Sequence, residues 1–286
     1  MAEDPDKIKF TNLTSDGRPR TIHFATTHQN ALKVVEGKSY LAQLTSPFRE
    51  SISTMLFYET KLGFRKSRFS GWWLPITSIQ VYRDIEMFIK KHRTTVFIRD
   101  LLPVSCALDK NFREKHPTQE AERTTLGLLE YQAKYSADEN AAYQLADIAA
   151  EFINTTIYKR ANIIIGVPSS KLSRRSLPQQ IAKLIADKTH LEDASSLVRW
   201  CKDKPELKNI RVEEKWVSLD RVGICLPSDG IAGKHIILLD DLYQSGTTLN
   251  FIASRLKSAG AKLVYGLALV KSWSNSDNVQ EDDGVE

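Results

Sequence analysis

The chain has 286 residues, of which 42% are hydrophobic and 26% are charged, a composition typical of folded globular proteins and not of disordered ones. No apolar run reaches the roughly eighteen residues that a membrane-spanning helix needs. The acidic, polar start MAEDPDKIKF lacks the apolar segment of a secretory signal. The sequence therefore predicts a cytoplasmic protein.

The formal net charge of +5 is unevenly distributed. The basic excess lies in residues 1–120, whereas basic and acidic side chains nearly balance in the rest of the chain. A local basic excess is typical of proteins that contact a polyanion. This pattern suggests a polyanionic partner for the N-terminal part and a different role for the C-terminal part.

The three cysteines, Cys106, Cys201 and Cys225, lie far apart in the sequence. Their odd number and wide spacing match neither a disulfide framework nor a set of metal ligands. The sequence therefore predicts three free thiols in a reducing compartment. The histidines show no metal spacing and are interpreted as isolated surface or core residues. They are His23, His28, His92, His116, His190 and His235.

The N-terminal part contains a mixture of predicted helices and strands. Residues 1–25 show no helical period and are expected to be extended. A helical pattern covers residues 47–64, and apolar residues recur at three- and four-residue steps over residues 76–91, which predicts a second helix. The β-branched and aromatic run 94–98 predicts a strand that stops near Pro103.

The polar segment 109–120, which contains Pro117, is predicted to be the main boundary in the chain. It separates an N-terminal α+β region, residues 1–120, from a domain over residues 121–274. The last residues, 275–286, are polar and acidic and are predicted to form a tail.

After this boundary, predicted helices and strands alternate. The helices cover residues 126–135, 141–153, 176–186 and 247–258, and the strands cover residues 163–167, 222–226, 236–239 and 263–270. Ser176 and Gln179 are spaced as a capping box, and Gly260 is placed to end the last helix in a left-handed conformation. Short apolar strands alternating with helices predict an α/β fold, a mostly parallel sheet flanked by helices.

The stretch IILLDDLYQSGTTL, residues 236–249, carries the most specific chemistry in the sequence. Its four apolar residues predict a buried strand with Asp240 and Asp241 at the carboxyl end. In open α/β sheets, ligands bind just beyond the carboxyl ends of the strands. Paired carboxylates accept hydrogen bonds from the vicinal hydroxyls of a sugar, and charged acceptors strengthen such bonds.

The segment after the acidic pair predicts a phosphate site. Its glycine permits tight curvature, its neighbours supply hydroxyl groups, and it opens directly into a helix with unpaired N–H groups and a positive dipole end. No Gly-Lys-Ser/Thr follows, which excludes a Walker-type nucleotide loop. This phosphate loop consists of Gln244, Ser245, Gly246, Thr247 and Thr248.

In this combination of strand, acidic pair, loop and helix the sequence resembles the motif of type I phosphoribosyltransferases. Residues 127–271 are similar to the ComF-like, amidophosphoribosyltransferase-like branch of that family. The similarity includes residues 128–153, with Lys134 and Tyr135 at the centre, and residues 163–186. The resemblance implies a type I phosphoribosyltransferase core that binds phosphoribosyl pyrophosphate with Mg²⁺ and transfers the phosphoribosyl group with release of pyrophosphate.

The resemblance also implies roles for individual residues. Asp240 and Asp241 would hold the ribose and contact Mg²⁺ mainly through the ligand and water. Arg174 and Arg175 would contact phosphate, or else form an exposed basic turn. A second segment would meet the pyrophosphate group, with an ordinary strand-to-helix turn as the alternative interpretation. This pyrophosphate loop consists of Val167, Pro168, Ser169, Ser170 and Lys171.

The sequence departs from the ComF-like pattern in two places. The cysteine-rich zinc segment that precedes such cores is absent, so zinc is not expected. The family's Arg-Arg-Gly-Phe-Asn-Gln segment is Arg-Arg-Ser-Leu-Pro-Gln at residues 174–179, which leaves the acceptor unidentified. Basic residues also occupy the region of the family's mobile loop, and we interpret them as surface charge. They are Arg199, Lys202, Lys204 and Arg211.

Residues 61–73, KLGFRKSRFSGWW, interleave basic and aromatic side chains, and residues 90–93, KKHR, form a second basic cluster. Phosphate neutralisation and base stacking use these residue types. The alternative is that Trp72 and Trp73 belong to the core and that the second cluster stabilises the end of a helix.

Three functions are open from the sequence alone. The first is a phosphoribosyltransferase, the second a nucleic-acid-binding regulator that senses phosphoribosyl pyrophosphate, and the third an effector subunit of a bacterial, retron-type antiphage defence system. The expected ligand is phosphoribosyl pyrophosphate or another compound containing ribose 5-phosphate. A nucleic acid, a protein or a second copy of the chain is an open alternative as a further partner, and no membrane is expected.

Overall fold

The computed structural model describes residues 4–37, 39–68, 70–113, 121–205, 207, 210–227 and 229–273. Over these ranges the helices are α1 (Pro5–Ser15), α2 (Ile52–Thr60), α3 (Ile79–Lys91), α4 (Thr125–Tyr135), α5 (Glu139–Thr155), α6 (Leu177–Ala186), α7 (Val212–Val222) and α8 (Thr247–Ser258). The strands are β1 (Thr21–His23), β2 (Leu32–Val34), β3 (Ala42–Ser46), β4 (Arg65–Lys66), β5 (Trp72–Ile76), β6 (Val96–Ile98), β7 (Ser105–Lys110), β8 (Ile163–Gly166), β9 (Glu192–Asp193), β10 (Arg199–Trp200), β11 (Ile224–Cys225), β12 (His235–Tyr243) and β13 (Leu263–Lys271). None of the described helices is long and apolar enough to span a bilayer.

A seven-stranded sheet in the order β1-β6-β7-β13-β12-β8-β9 forms the centre of the molecule. The strands from β7 to β9 in this order pair in parallel, whereas β1 and β6 pair antiparallel at one edge. The prediction of an α/β fold with a mostly parallel sheet flanked by helices is therefore confirmed.

Side chains of the central strands alternate between two hydrophobic layers. Ile237 and Leu239 of β12 pack in the layer that contains α5 and α6. Ile236 and Leu238 pack in the opposite layer, which contains α1, α7 and α8. All four side chains are fully buried. Burial on both faces explains why these strands are continuous apolar runs in the sequence.

The N-terminal region contributes strands to this same sheet. Strand β7 pairs in parallel with β13, with Cys106 opposite Leu267, and it pairs antiparallel with β6. The predicted boundary at residues 109–120 therefore does not separate two independent cores. Strand β7 was not predicted, because its small buried side chains lie beside the polar run that suggested a boundary. Residues 114–120, with Pro117 and His116, and the predicted tail 275–286 lie outside the described residues.

The expectation of extended structure over residues 1–25 is wrong for helix α1. This helix begins with Pro5 at its first position, and the Asp4 side chain accepts a hydrogen bond from the Asp6 N–H, as an N-cap residue does. Phe10 is its one buried side chain. Since a single apolar contact produces no repeating pattern, the helix has no periodic signal in the sequence.

The strand predicted over residues 222–226 is present only as the short β11 (Ile224–Cys225). Helix α7 runs into this segment and ends at Gly223, whose φ is 71°, and the short β11 pairs antiparallel with β10 outside the main sheet. The pairing of β10 with β11 places Cys201 beside Cys225, and the two form a disulfide. The prediction of three free thiols therefore holds only for the buried Cys106, because spacing along the chain does not reveal an antiparallel contact across 24 residues.

The remaining predicted elements are confirmed with shifted ends. The helix predicted over residues 76–91 begins only after Ser78, whose hydroxyl accepts from the Val81 N–H, and Ile76 ends strand β5. The capping box of Ser176 and Gln179 is present at the start of α6. Gly260 adopts the expected left-handed conformation after α8, with a φ of 92°.

A buried arginine fastens α1 to the central sheet. Arg99, just after β6, is 2% exposed. Its guanidinium donates to both carboxylate oxygens of Asp16, at 2.8 and 2.7 Å. It also donates to three backbone carbonyls at the end of α1 and in the following turn, those of Leu13, Arg18 and Pro19.

We expect Arg99→Met to lower the free energy of unfolding by about 3 kcal/mol, because it leaves buried acceptors without their donor. Urea denaturation followed by tryptophan fluorescence measures the change. Arg113→Met is the matched control, since the Arg113–Glu122 pair is more than half exposed on both sides and is expected to contribute less than about 1 kcal/mol. Equal losses in the two variants would contradict this account.

Candidate functional site

The acidic pair lies in β12, beyond the point where the neighbouring strand β8 has ended. Strand β8 stops at Gly166, opposite Leu239, whereas β13 continues to pair with β12 as far as Tyr243. Asp240 and Asp241 therefore lie inside β12, whereas the sequence analysis placed them at the end of a shorter strand, residues 236–239. Because only one flank of the strand remains paired beyond Leu239, both carboxylates border an open space.

Lys134 of α4 forms ion pairs with Asp241 and Glu130. Its Nζ lies 2.7 Å from the Asp241 carboxylate and 3.6 Å from that of Glu130, one turn earlier on the same helix. Although burial favours the neutral amine, the carboxylates of Asp241 and Glu130 raise the pKa of Lys134 above its usual value. The amine therefore stays protonated and offsets part of the negative charge of the site.

Lys204, in the segment that follows β10, also lies near the acidic pair. Its backbone N–H donates to the Ser170 carbonyl at 2.8 Å, and its Nζ lies 5.4 Å from the centre of the Trp200 ring. Burial lowers the pKa of Lys204, an effect that Asp240 and Asp241 oppose. Burial and the neighbouring Asp241 raise the pKa of Asp240 well above the usual carboxyl range. Lys204 is thus part of the site, although the sequence analysis interpreted it as surface charge.

The phosphate loop turns sharply into α8. Gly246 is the N-cap residue, with a φ of 82°, and no side chain caps the helix. A Cβ atom at this position would lie 2.1 Å from the Tyr243 Oη, so both the backbone conformation and the available space require glycine. Within the described part of the chain, the backbone N–H groups of Thr248 and Leu249 have no acceptor. They are free to bind an anion at the positive end of the helix.

Residues of the N-terminal region brace this loop from behind. The Arg20 guanidinium donates to the Ser245 carbonyl at 3.0 Å and to the Tyr243 Oη at 3.3 Å. The buried Asp100 carboxylate accepts from the Tyr243 hydroxyl at 3.1 Å and from the Asn250 amide at 3.3 Å. The same amide donates to the Gly246 carbonyl at 2.9 Å. These hydrogen bonds stabilise the conformation of the loop.

The pyrophosphate loop follows β8 directly. Its first residue, Val167, donates its N–H to the Leu239 carbonyl at 2.8 Å, which holds the loop next to the acidic pair. The Val167 carbonyl accepts from the Ser176 hydroxyl at 2.6 Å, so the loop is tied to the start of α6. A Cβ atom on Gly166 would lie 2.4 Å from the Gln179 nitrogen, which explains the glycine before this loop.

Farther along the pyrophosphate loop the side chains are exposed. Lys171 lies 3.5 Å from Asp203, and the Asp203 carboxylate accepts from the Leu172 N–H at 3.0 Å. Arg174 and Arg175 are exposed and border the cavity. These cations are therefore accessible to an anionic ligand.

Two adjoining cavities bring all the predicted site residues together. One, of about 700 Å³, is lined by the acidic pair and the whole phosphate loop. The other, of about 820 Å³, is lined by Asp240, Asp241, Arg174, Arg175 and most of the pyrophosphate loop. Lys134 and Lys204 line both cavities.

The sequence analysis missed several residues of this site. Lys215 of α7 lines the smaller cavity although it is only 3% exposed, and Glu130 is 4% exposed beneath Lys134. Arg20 and Asp100 support the phosphate loop from a region that was predicted to be separate. These residues carry no motif, because they are distant in the sequence and the fold alone brings them together.

Comparison with known proteins identifies no family model that matches the chain and no matching curated protein. The comparison finds similarity between part of the chain and two solved structures. One is a purine phosphoribosyltransferase from Pyrococcus horikoshii Ot3, with 20% identity, a TM-score of 0.28 and coverage of 45% of this chain and 70% of that one. The other is the UMP synthase of Leishmania donovani, with 17% identity, a TM-score of 0.31 and coverage of 56% of this chain and 29% of that one.

We expect Gly246→Ala to lower the free energy of unfolding by about 3 kcal/mol, because it adds a steric clash to the strain of a left-handed residue. Gly17→Ala is the matched control, since Gly17 has a φ of 69° but open space around its Cα, and about 1 kcal/mol is expected there. Urea denaturation measures both. Equal losses would show that Tyr243 does not restrict this position.

Proposed function

We propose that the chain binds phosphoribosyl pyrophosphate together with Mg²⁺ and transfers its phosphoribosyl group to an acceptor, with release of pyrophosphate. The main support is one arrangement of groups. The acidic pair ends five residues before Gly246, the N-cap of α8, where the N–H groups of Thr248 and Leu249 are free, and it lies beyond the point where β8 has ended beside β12.

The phosphate loop suits the 5′-phosphate of such a ligand. The N–H groups of Thr248 and Leu249 and the dipole of α8 favour an anion here. The hydroxyls of Ser245 and Thr247 lie 2.9 Å apart and can turn toward phosphate oxygens. Lys215 lines the same cavity and adds positive charge to this end of the site.

Asp240 and Asp241 suit the ribose that joins the 5′-phosphate to the pyrophosphate. Their carboxylates can accept hydrogen bonds from the vicinal 2- and 3-hydroxyls of the sugar. Lys134 lies 2.7 Å from the Asp241 carboxylate, and Lys204 lines the same cavities, so both cations lie near these carboxylates. A ligand with a phosphate at one end and a pyrophosphate at the other matches the distribution of positive charge along the two cavities.

The donor groups near the pyrophosphate loop fit Mg²⁺ that arrives with its ligand. Among the described residues no group of three or more His, Cys, Asp or Glu could hold a metal ion, so a cage built from protein alone is absent there. Mg²⁺ is commonly held by one or two carboxylates together with substrate phosphates and water. Asp240, Asp241 and the hydroxyls of Ser169 and Ser170 would supply the protein oxygens, and the bound ion would neutralise the pyrophosphate as it leaves.

The proposed reaction needs no covalent protein nucleophile. The acceptor, usually a nitrogen, forms a bond to C1 of the ribose while the bond from C1 to the pyrophosphate oxygen breaks, and the acceptor gives up its proton. The ribose ring resembles an oxocarbenium ion during this step, as in glycoside chemistry. In this proposal the carboxylates of Asp240 and Asp241 would stabilise that positive charge, while Lys171, Arg174 and Arg175 would stabilise the departing anion.

We expect the double substitution Asp240→Asn and Asp241→Asn to weaken binding of phosphoribosyl pyrophosphate at least about 100-fold, because two charged acceptors of the sugar hydroxyls become neutral. Isothermal titration calorimetry measures the affinity. The matched control replaces Asp147 and Asp220, whose side chains are 61% and 63% exposed, and should bind as the wild type does. Unchanged affinity in a folded acidic-pair variant would reject this assignment.

We expect pyrophosphate release from phosphoribosyl pyrophosphate only when both Mg²⁺ and a suitable acceptor are present. A panel of purine and pyrimidine bases and ammonia, each assayed with Mg²⁺ and with excess EDTA, tests this and identifies the acceptor. Binding of the ligand without release across the whole panel would contradict the transferase and favour a protein that senses the ligand.

A further inference from the structure

The four-stranded sheet β2-β3-β5-β4 has one buried and one accessible face. Leu44 of β3 and Leu74 of β5 are opposite each other and buried. Their neighbours Thr45 and Trp73 are also opposite each other, and Arg65 of β4 pairs with Trp73 from the other side. Because successive side chains of a strand alternate between faces, these three side chains share the accessible face.

A basic cleft of about 1100 Å³ lies along this sheet. Four of its lining residues, Arg18, Arg65, Lys66 and Arg68, carry positive charge, and none of the described lining residues is an aspartate or a glutamate. Arg18 lies 3.9 Å from Asp16. Among the described residues, Arg65, Lys66 and Arg68 form no ion pair with a carboxylate, and their side chains are exposed. The cleft therefore concentrates uncompensated positive charge.

Three aromatic residues line the same basic cleft. Tyr40, Trp72 and Trp73 are each partly exposed, so Trp72 and Trp73 are not fully buried in the core. The rings of Tyr40 and Trp73 lie 5.5 Å apart between centroids, and the Arg49 guanidinium lies 4.8 Å above the Trp72 ring. The aromatic rings of the basic cleft therefore lie beside its positively charged side chains.

We propose that the basic cleft binds single-stranded nucleic acid, with phosphates at Arg65, Lys66 and Arg68 and bases stacked on Tyr40 and Trp73. Cations without nearby carboxylates suit a phosphate backbone. Partly exposed aromatic rings suit the faces of unpaired bases, which are accessible in a single strand and hidden in a duplex. The combination favours a single strand over a duplex and over an anion without bases.

This site is distinct from the proposed phosphoribosyl site. The basic cleft shares no lining residue with either cavity beside the acidic pair. It does adjoin a third cavity of about 550 Å³, which Arg18 and His28 also line and which reaches Gln244 at the start of the phosphate loop. The two proposals can therefore be tested separately.

Fluorescence anisotropy with labelled 12-nucleotide DNA and RNA strands, and with the duplex of the same sequence, tests the proposal on the full chain. We expect the triple substitution Arg65→Ala, Lys66→Ala and Arg68→Ala to weaken single-strand binding at least about tenfold. It should also make the slope of log affinity against log salt less negative by about 2, since each phosphate contact contributes about 0.7. The Asp240→Asn, Asp241→Asn variant should bind the strand normally.

A control triple removes the same charge elsewhere by replacing the exposed residues Lys188, Arg221 and Lys262, and it should retain wild-type affinity. Trp73→Ala should weaken binding about tenfold or more through lost stacking, whereas Trp73→Phe should restore most of it. The proposal is overturned if the wild type binds no strand at about 0.1 M salt, if duplex binds as tightly, if both triples lose affinity equally, or if folded Trp73→Ala binds normally.

Discussion

The candidate site depends on how the fold accommodates two adjacent carboxylates in a largely buried strand. Removing ionised carboxylates from water is strongly unfavourable unless positive charge lies close by. Lys134 supplies that charge from α4 and Lys204 supplies it from the segment after β10. The two lysines belong to different parts of the fold, so α4, β12 and the segment after β10 must all be in place to bring these charges together.

The open space beside these carboxylates comes from unequal strand lengths. Strand β8 ends at Gly166 while β12 and β13 continue side by side. The early end of β8 allows the pyrophosphate loop to turn across the edge of the sheet, and the longer β12 carries the chain onward to the phosphate loop.

The N-terminal region supports the candidate site, whose lining residues all follow residue 120 in the chain. It contributes three strands to the main sheet, and Arg20 and Asp100 hold Tyr243, Asn250 and the phosphate loop in position. The same region forms the basic cleft, which adjoins the phosphate loop through a third cavity. A ligand bound in the cleft would therefore lie beside the residues that brace the loop.

Local patterns were enough to predict the alternating helices and strands, the capping box of Ser176, the left-handed Gly260, and the order of strand, loop and helix in residues 236–249. Each of these signals lies within a few neighbouring residues. Helix α1, strand β7 and the Cys201–Cys225 disulfide left no such signal. Their stability comes from partners far away in the chain, namely the sheet beneath Phe10, the parallel pairing with β13 and the antiparallel pairing of β10 with β11. Only the tertiary structure brought Lys204, Lys215, Arg20 and Asp100 to the site, since burial and charge compensation act between residues that are close in space and not in sequence.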